Sequence, residues 1–226
     1  MSDGAHLPLP APAAAVRVQL LATEHWSLLA TRSMTWSEVM SHITIHLTVT
    51  SAALVVLALV VQASGFGSGF RVLAIGLASV VLLLGTLTAV RVRNASIDDH
   101  ALIAGMNRLR AAYVEIDPSV ADYLVTSWHD DMAGVMRTST LGVPRGQAAH
   151  VIGSTNLFMS AINTIVAGTL GALVASAAGG SAWVDLVVGT VAAAVYLLAS
   201  LAVARRSFSA LPLIVRFPTS IDDAER

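Results

Sequence analysis

Four long runs of hydrophobic residues dominate the chain, and each is long enough to cross a lipid bilayer. They lie at about residues 36–62, 70–90, 150–177 and 182–204, and a transmembrane helix needs about 20 mostly apolar residues. The runs form two close pairs, because only the short glycine-rich links ASGFGSG and SAAGGS separate their members. The pattern therefore predicts two antiparallel transmembrane hairpins.

The segment between the two hairpins has the pattern of helices outside the membrane. Ser96 and Asp99 match the capping-box signature, a serine followed three residues later by an acid, which predicts a helix start. Asp117 and Pro118 predict the end of that helix and the start of another. Apolar residues at steps of three and four give the two helices a common stripe. Its members are Leu102, Met106, Leu109, Tyr113, Ile116, Val125, Trp128, Met132 and Val135.

These patterns predict an all-α, polytopic membrane protein with two transmembrane helical hairpins joined by a cytoplasmic helical pair. The amphipathic helix ahead of the first hairpin is expected to lie on the membrane surface or to pack on the cytoplasmic helices. The expected segments are a disordered leader (1–14), the amphipathic cytoplasmic helix (15–35), the first hairpin (36–90), the cytoplasmic pair (91–149), the second hairpin (150–204) and a cytoplasmic tail (205–226).

Composition favours the same class of protein. The chain is 55% hydrophobic and only 12% charged, whereas soluble domains carry roughly 25% charged residues. A formal net charge of −1 gives no reason to expect nucleic acid as a partner. The absence of cysteine excludes disulfides and thiolate metal sites. The first residues lack the basic start and leucine-rich core of a signal peptide, so the first hydrophobic run is expected to stay as an anchor.

Arginine placement predicts the orientation in the membrane. Cytoplasmic loops are enriched in basic residues, and every basic residue here is arginine. Apart from Arg71, the arginines near the runs lie away from the hairpin links, at Arg17, Arg32, Arg91, Arg93, Arg145, Arg205 and Arg206. Both termini and the central segment are therefore expected to be cytoplasmic. The lysine-free composition resembles that of GC-rich bacteria, which indicates a bacterial inner membrane.

One helical face of the first run carries Glu38, His42 and His46 at spacings of four. Thr35 and Glu38 also match a capping box, which predicts a helix start there and gives Glu38 a structural role. Histidines four apart can bind a divalent ion together with a carboxylate oxygen. The same histidines could instead titrate in an ion pathway or hydrogen-bond between packed helices. All three interpretations stay open, with His42, His46 and Glu38 as weak metal candidates.

The third run is the least apolar and carries polar residues on one side. Ala167 and Gly171 follow on that side as a pair of small residues that allows close helix approach. Such a face either lines a pore in an oligomer or forms hydrogen bonds between helices of a bundle. The predicted polar intramembrane face consists of His46, Asn156, Ser160, Asn163 and Thr164.

Acidic and histidine residues also concentrate in the central segment. Sequential residues on one helix point in different directions, so they converge only if the two cytoplasmic helices bring them together. A solvated charged face is the simpler interpretation. This predicted cytoplasmic polar cluster consists of Asp98, Asp99, His100, His129, Asp130 and Asp131.

These features favour a function other than catalysis. The chain has no nucleophile elbow, phosphate loop, dinucleotide fingerprint or metal motif, and no cofactor is predicted. The leading hypothesis is a homo-oligomeric membrane protein acting as an ion or small-solute channel. The alternative is a membrane scaffold or accessory subunit that binds a protein partner through its cytoplasmic helices, and a third is a membrane metal-binding protein. Membrane lipids and further copies of the chain are the expected partners.

The segments LLATEHWSLLATRSMTWSEVM, IAGMNRLR and SWHDD resemble those of a group of small bacterial four-span integral membrane proteins, and the likeness covers most of the chain. The resemblance implies a membrane fold but neither an activity nor catalytic residues. The layout of two hairpins around cytoplasmic helices is also similar to that of bestrophin-type anion channels. That is an analogy of layout alone, because the signature residues of that family are absent and the cytoplasmic part is shorter.

The predicted orientation can be tested with single cysteines in the cysteine-free chain. Cysteines at Gly67 and Gly180, in the two hairpin links, should react with a membrane-impermeant thiol reagent added to intact cells. A cysteine at Asp122, in the central segment, should react only after the cells are opened. Labelling at Asp122 in intact cells would reverse the orientation.

Overall fold

The computed structural model describes residues 11–143, 154–209 and 214–219. This part of the chain contains no β-strand, which confirms the predicted all-α fold. Four of its helices are long and apolar enough to cross a membrane, so the chain is a multi-pass membrane protein. The helices are α1 (Ala11–Ser64), α2 (Ser68–Ile116), a short 3-10 helix (Pro118–Tyr123), α3 (Met132–Ser139), α4 (Thr155–Ala177) and α5 (Ala182–Ser209).

Glycines in left-handed conformation end the first helix of each hairpin. Gly65 follows α1 with φ of +69°, and its N–H donates to the carbonyl of Val61. Gly179 follows α4 with φ of +87°, and Gly180 donates to the carbonyl of Ala175. Glycine adopts this conformation without the steric cost that a Cβ atom brings. The glycine-rich links therefore reverse the chain within a few residues.

The chain divides into two compact units. The membrane unit consists of Thr35–Ile97 and Arg145–Leu211, and it holds the four hydrophobic runs. The hydrophilic unit consists of Met1–Met34, Asp98–Pro144 and Pro212–Arg226, and it holds most of the charged residues.

Two sets of contacts organise the membrane unit. Helices α1, α2 and α4 share an apolar cluster, whose buried members are Val39, Ile43, Ala89, Val92, Ala95 and Met159, with Trp36 packed against it. Helices α4 and α5 approach closely through small residues. A Cβ atom on buried Gly189 would lie 2.9 Å from the Gly168 carbonyl oxygen. A Cβ atom on Gly171 would likewise lie 2.8 Å from the Cβ of Ala192 on α5. The predicted pair of small residues, Ala167 and Gly171, therefore belongs to a helix contact within one protomer.

The hydrophilic unit has a smaller core of its own. Leu28 of α1 packs against Ile103, Ala104 and Met106 of α2 and Val135 of α3. The amphipathic segment of α1 thus packs on the other helices of this unit, which is one of the two arrangements expected from the sequence.

Several helix boundaries differ from those predicted. Helix α1 runs unbroken through Thr35, and α2 runs unbroken through Ser96, so the capping-box predictions at both places are wrong. Both signatures lie where apolar packing continues on either side, and the chain gains more from an unbroken helix than from a new start. Residues 11–14 of the predicted disordered leader belong to α1, and 205–209 of the predicted tail belong to α5.

The second helix of the predicted cytoplasmic pair is also different. Asp117 does cap the next element, accepting from the Ser119 N–H at 3.0 Å, but that element is the short 3-10 helix. Residues 124–131 are not helical, and α3 begins only after the N-cap Asp131. The predicted stripe therefore fails at Val125, which is exposed, and holds at Val135, which is fully buried. Residues 144–153, including the predicted start of the third run, lie outside the described residues.

The α4–α5 contact predicts opposite effects for two glycine-to-alanine changes. Gly189→Ala should lower the unfolding temperature in detergent, because its Cβ would press on backbone that cannot rotate away. Gly76→Ala is the matched control, since nothing lies within 4 Å of the Cβ it would add. Alanine is favoured over glycine within a helix by about 1 kcal/mol, so the control should be neutral or stabilising. Equal effects at the two positions would contradict the close packing.

Candidate functional site: a buried polar site in the membrane unit

Three helices of the membrane unit bring His46, Gly85 and Asn163 to one point. A Cβ atom placed on Gly85 of α2 would lie 2.7 Å from Cε1 of His46 on α1. The same Cβ would overlap Oδ1 of Asn163 on α4. Both side chains therefore lie against the glycine backbone. The missing side chain at Gly85 is what gives the two polar groups room to enter the helix packing.

Both polar side chains are buried and lack hydrogen-bond partners. His46 is 1% exposed and Asn163 is 0% exposed. Neither ring nitrogen of His46 nor either amide atom of Asn163 has a partner among the described residues. Buried polar groups in proteins almost always have one, and a buried group without one costs about 1–3 kcal/mol. These four atoms therefore form a site with unused capacity to donate and accept hydrogen bonds.

Apolar layers flank this polar site on both sides along the helices. One turn away in one direction lie Ile43, Ala89 and Met159 of the shared apolar cluster. In the other direction, the same three helices line an apolar groove of about 250 Å³ that includes Val81 and Val166. The polar site is thus a local feature within an apolar bundle.

The other polar residues predicted on α4 do not join this site. Asn156 donates from Nδ2 to the Ser96 hydroxyl at 2.9 Å, which links α4 to α2. The Thr164 hydroxyl donates to the Ser160 carbonyl within the helix. Of the predicted polar intramembrane face, the structure brings together His46 and Asn163.

Glu38 takes part in an ion pair between helices. Its carboxylate receives two hydrogen bonds from the Arg91 guanidinium, at 2.9 and 2.7 Å. His42 lies beside it, with Nε2 3.6 Å from Oε1. Glu38 thus joins α1 to α2, and the capping role predicted for it is wrong. His42 is half-exposed next to this pair, whereas His46 is buried one turn further along.

The described residues contain no group of three or more histidine, aspartate or glutamate side chains arranged to hold a metal ion. The two weak metal candidates Glu38 and His42 are neighbours, but Arg91 already pairs with the carboxylate. His46 faces Asn163 instead.

The residues of the predicted cytoplasmic polar cluster have different surroundings in the structure. Asp99 pairs with Arg32 of α1, with Oδ1 2.6 Å from Nε. Asp98 is exposed on α2, and His100 follows on the same helix. His129 lies against Ser127, its Nδ1 3.4 Å from the hydroxyl. Asp130 and Asp131 bind residues 214–219 near the end of the chain.

Asp130 receives several hydrogen bonds from that terminal segment. The buried carboxylate accepts from the backbone N–H groups of Arg216 and Phe217, at 3.0 and 2.7 Å, and from Arg108 at 2.9 Å. Burial raises the pKa of the Asp130 carboxyl, but the Phe217 amide, Arg108 and the Arg216 amide outweigh it and hold that pKa below its ordinary value. The stabilisation is therefore present at neutral pH and is lost as the pH falls through the depressed pKa.

Asp131 has two roles at once. It caps α3 by accepting from the Gly134 N–H at 2.8 Å, and it accepts from the Thr219 N–H at 2.8 Å. Burial raises the pKa of Asp131, but the Thr219 and Gly134 amides and the Thr219 hydroxyl lower it more. The two adjacent aspartates thus act as anchors for backbone amides.

Sequence reasoning missed the residues that complete these sites. Gly85 gave no signal, because one glycine in an apolar run is common. The partners of Asp130 are backbone amides, which no sequence pattern reveals. Comparison with protein-family models, curated proteins and solved structures gave no match to this chain.

The crowding at Gly85 predicts a rescue experiment. Gly85→Ala should lower the unfolding temperature in detergent, because the new Cβ would overlap Asn163 and press on His46. Adding Asn163→Ala removes the overlapping amide and two unpartnered polar atoms, so the double variant should regain most of the loss. Asn163→Ala alone should then be no less stable than the parent. Additive losses in the double variant would show that the two residues do not meet.

Proposed function

We propose that the protein is a homo-oligomeric integral membrane protein that conducts a small ion or solute, protons included, with His46 and Asn163 as the polar point of the path. The observation that carries this proposal is the pair of buried side chains whose four polar atoms have no partner in the part of the chain that the structure describes. Ionisable groups within membrane spans are costly and usually face a water-filled space or a transport path.

The chemistry of the two side chains suits transient contact with a moving species. Imidazole titrates near pH 6.5 in its unperturbed state and can both donate and accept a proton. The amide of Asn163 offers one acceptor oxygen and two N–H donors beside it. Together they can bind water, a proton or a small cation without forming an ion pair. An ion pair would bind the moving species too tightly for release.

The apolar layers around the site interrupt a polar route through one protomer, so the proposed path requires an oligomer or a rearranged bundle. Within the described residues of one protomer, apolar side chains border the polar site along the helices in both directions. A second copy or a rearranged bundle would be needed to extend the polar route. We further propose a bacterial inner membrane as the location, with both termini and the hydrophilic unit on the cytoplasmic side, because the arginine distribution favours it.

A membrane scaffold is the second candidate function. The observation that favours it is the set of large apolar side chains left exposed on the α1 segment of the hydrophilic unit, including Leu20 and Trp26. A protein partner could cover them.

The conduction proposal predicts pH-dependent flux that His46 controls. The ion flux through purified protein in liposomes should change between pH 5 and 8. The change should reach about tenfold per pH unit in the range where only a small fraction of His46 is in the conducting protonation state. His46→Leu should abolish this dependence while the protein still assembles. His42→Leu is the matched control, because His42 lies one turn away but is exposed beside Glu38.

The double variant His42→Leu with His46→Leu should behave like His46→Leu alone. If the parent protein carries no small ion at any pH from 5 to 8, the conduction proposal fails and the scaffold function takes its place. If His42→Leu rather than His46→Leu removes the pH dependence, conduction stands but the assigned path does not.

A further inference from the structure

A polar cavity of about 230 Å³ lies in the hydrophilic unit, separate from the membrane site. Its walls come from the segment 121–129 and from Arg137 of α3. The proposed conduction does not use this cavity.

Buried hydrogen bonds hold the walls of the cavity in place. Asn107 of α2 is fully buried and donates from Nδ2 to the His129 carbonyl at 2.7 Å. Its Oδ1 accepts from the Thr138 hydroxyl at 2.9 Å, which fixes α3 next to Arg137. One side chain therefore ties both walls to α2. Such a preformed shape is typical of binding sites.

Two opposite charges line the cavity without pairing. Arg137 and Asp122 form no ion pair with each other, and the side chain of neither has a hydrogen-bond or ionic partner among the residues that the structure describes. Both residues are exposed, so their charged groups are accessible from solvent. The cavity thus presents one positive and one negative group to a ligand.

Residues with neutral donors also line the cavity. Thr126 and Trp128 are among them, and their side chains make no hydrogen bond with a described residue. Ser127 and His129 form the buried part of the wall, where the Ser127 hydroxyl accepts from the His129 N–H at 3.0 Å. The Ser127 hydroxyl in the buried wall therefore already has a partner.

We propose that this cavity binds a small zwitterion, with the chemistry of a free amino acid. Arg137 would bind the carboxylate, since a guanidinium matches a carboxylate through two parallel N–H donors. Asp122 would bind the ammonium group, and the Trp128 ring and Leu124 would contact the remainder. The volume is sufficient for a molecule of amino-acid size but not for a nucleotide or a folded partner.

A simple anion is the main alternative ligand class. Arg137 alone would attract one, but the Asp122 carboxylate on the same cavity would repel it. A simple cation would be attracted by Asp122 and repelled by Arg137. A ligand that carries both charges satisfies both side chains, which is why the zwitterion is favoured.

The test is calorimetric titration of the full chain in detergent micelles. The probes are glycine, L-serine and L-leucine, with acetate and methylammonium as ligands that carry one charge only. At least one amino acid should bind at least tenfold more tightly than either singly charged probe. Arg137→Gln and Asp122→Asn should each weaken that binding by about tenfold or more, the loss expected for one charge-assisted hydrogen bond.

Matched controls separate the site from the general charge of the unit. Arg17→Gln and Glu24→Gln remove exposed charges elsewhere in the hydrophilic unit and should leave the affinity unchanged. All variants should melt within a few degrees of the parent, which shows that a loss of binding is not a loss of folding. Absence of binding by any amino acid at millimolar concentration would overturn the proposal. Acetate binding as tightly as glycine would overturn it in favour of an anion site.

Discussion

Backbone hydrogen bonding in an apolar solvent is the constraint on which this structure depends. Within a bilayer each N–H and C=O must find a partner in the protein, so the chain crosses as unbroken helix. This explains the unbroken helix within each hydrophobic run. Helices α1 and α2, with 54 and 49 residues, are longer than a span needs, and packing in the hydrophilic unit continues them beyond it. The hydroxyls in the spans follow the same rule, as Thr50 shows by donating to the His46 carbonyl at 2.8 Å.

Side chains that cannot bond back to their own helix are the exceptions. A threonine hydroxyl reaches the carbonyl four residues earlier, but the imidazole of His46 and the amide of Asn163 extend toward the neighbouring helices. There they meet at Gly85, and their polar atoms find no partner within residues 11–143, 154–209 and 214–219. Asn156 shows the ordinary solution on the same helix, since Ser96 accepts its N–H. The contrast between the two asparagines, seven residues apart on α4, distinguishes the junction at Gly85 from an ordinary hydrogen bond between packed helices.

The sequence predicts the membrane helices well because hydrophobic length alone determines them. It predicts the two hairpins for the same reason, with glycines at the links. It fails at Thr35 and Ser96, because a capping signature is a local preference of about 1 kcal/mol that continuing helix and tertiary packing override. It also fails at 124–131, where the apolar spacing of Val125 and Trp128 suits a helix. There the chain is extended, and its hydrogen bonds go to other segments. Asn107 donates to the His129 carbonyl, and the Phe217 N–H donates to the Asp130 carboxylate.

The candidate sites were likewise predictable in residue type but not in surroundings. His42 and His46 could be identified from their spacing, and Asn163 from its place in an apolar run. Their different surroundings could not, because one turn of α1 decides whether a side chain faces the Arg91–Glu38 pair or Asn163. In the hydrophilic unit, the acidic pair of Asp130 and Asp131 resembles a catalytic or metal-binding motif. Their carboxylates are instead saturated by backbone amides of residues 216, 217, 219 and 134. By contrast, side chains at the helix junction at Gly85 and in the cavity beside Arg137 keep polar atoms without a partner among the described residues.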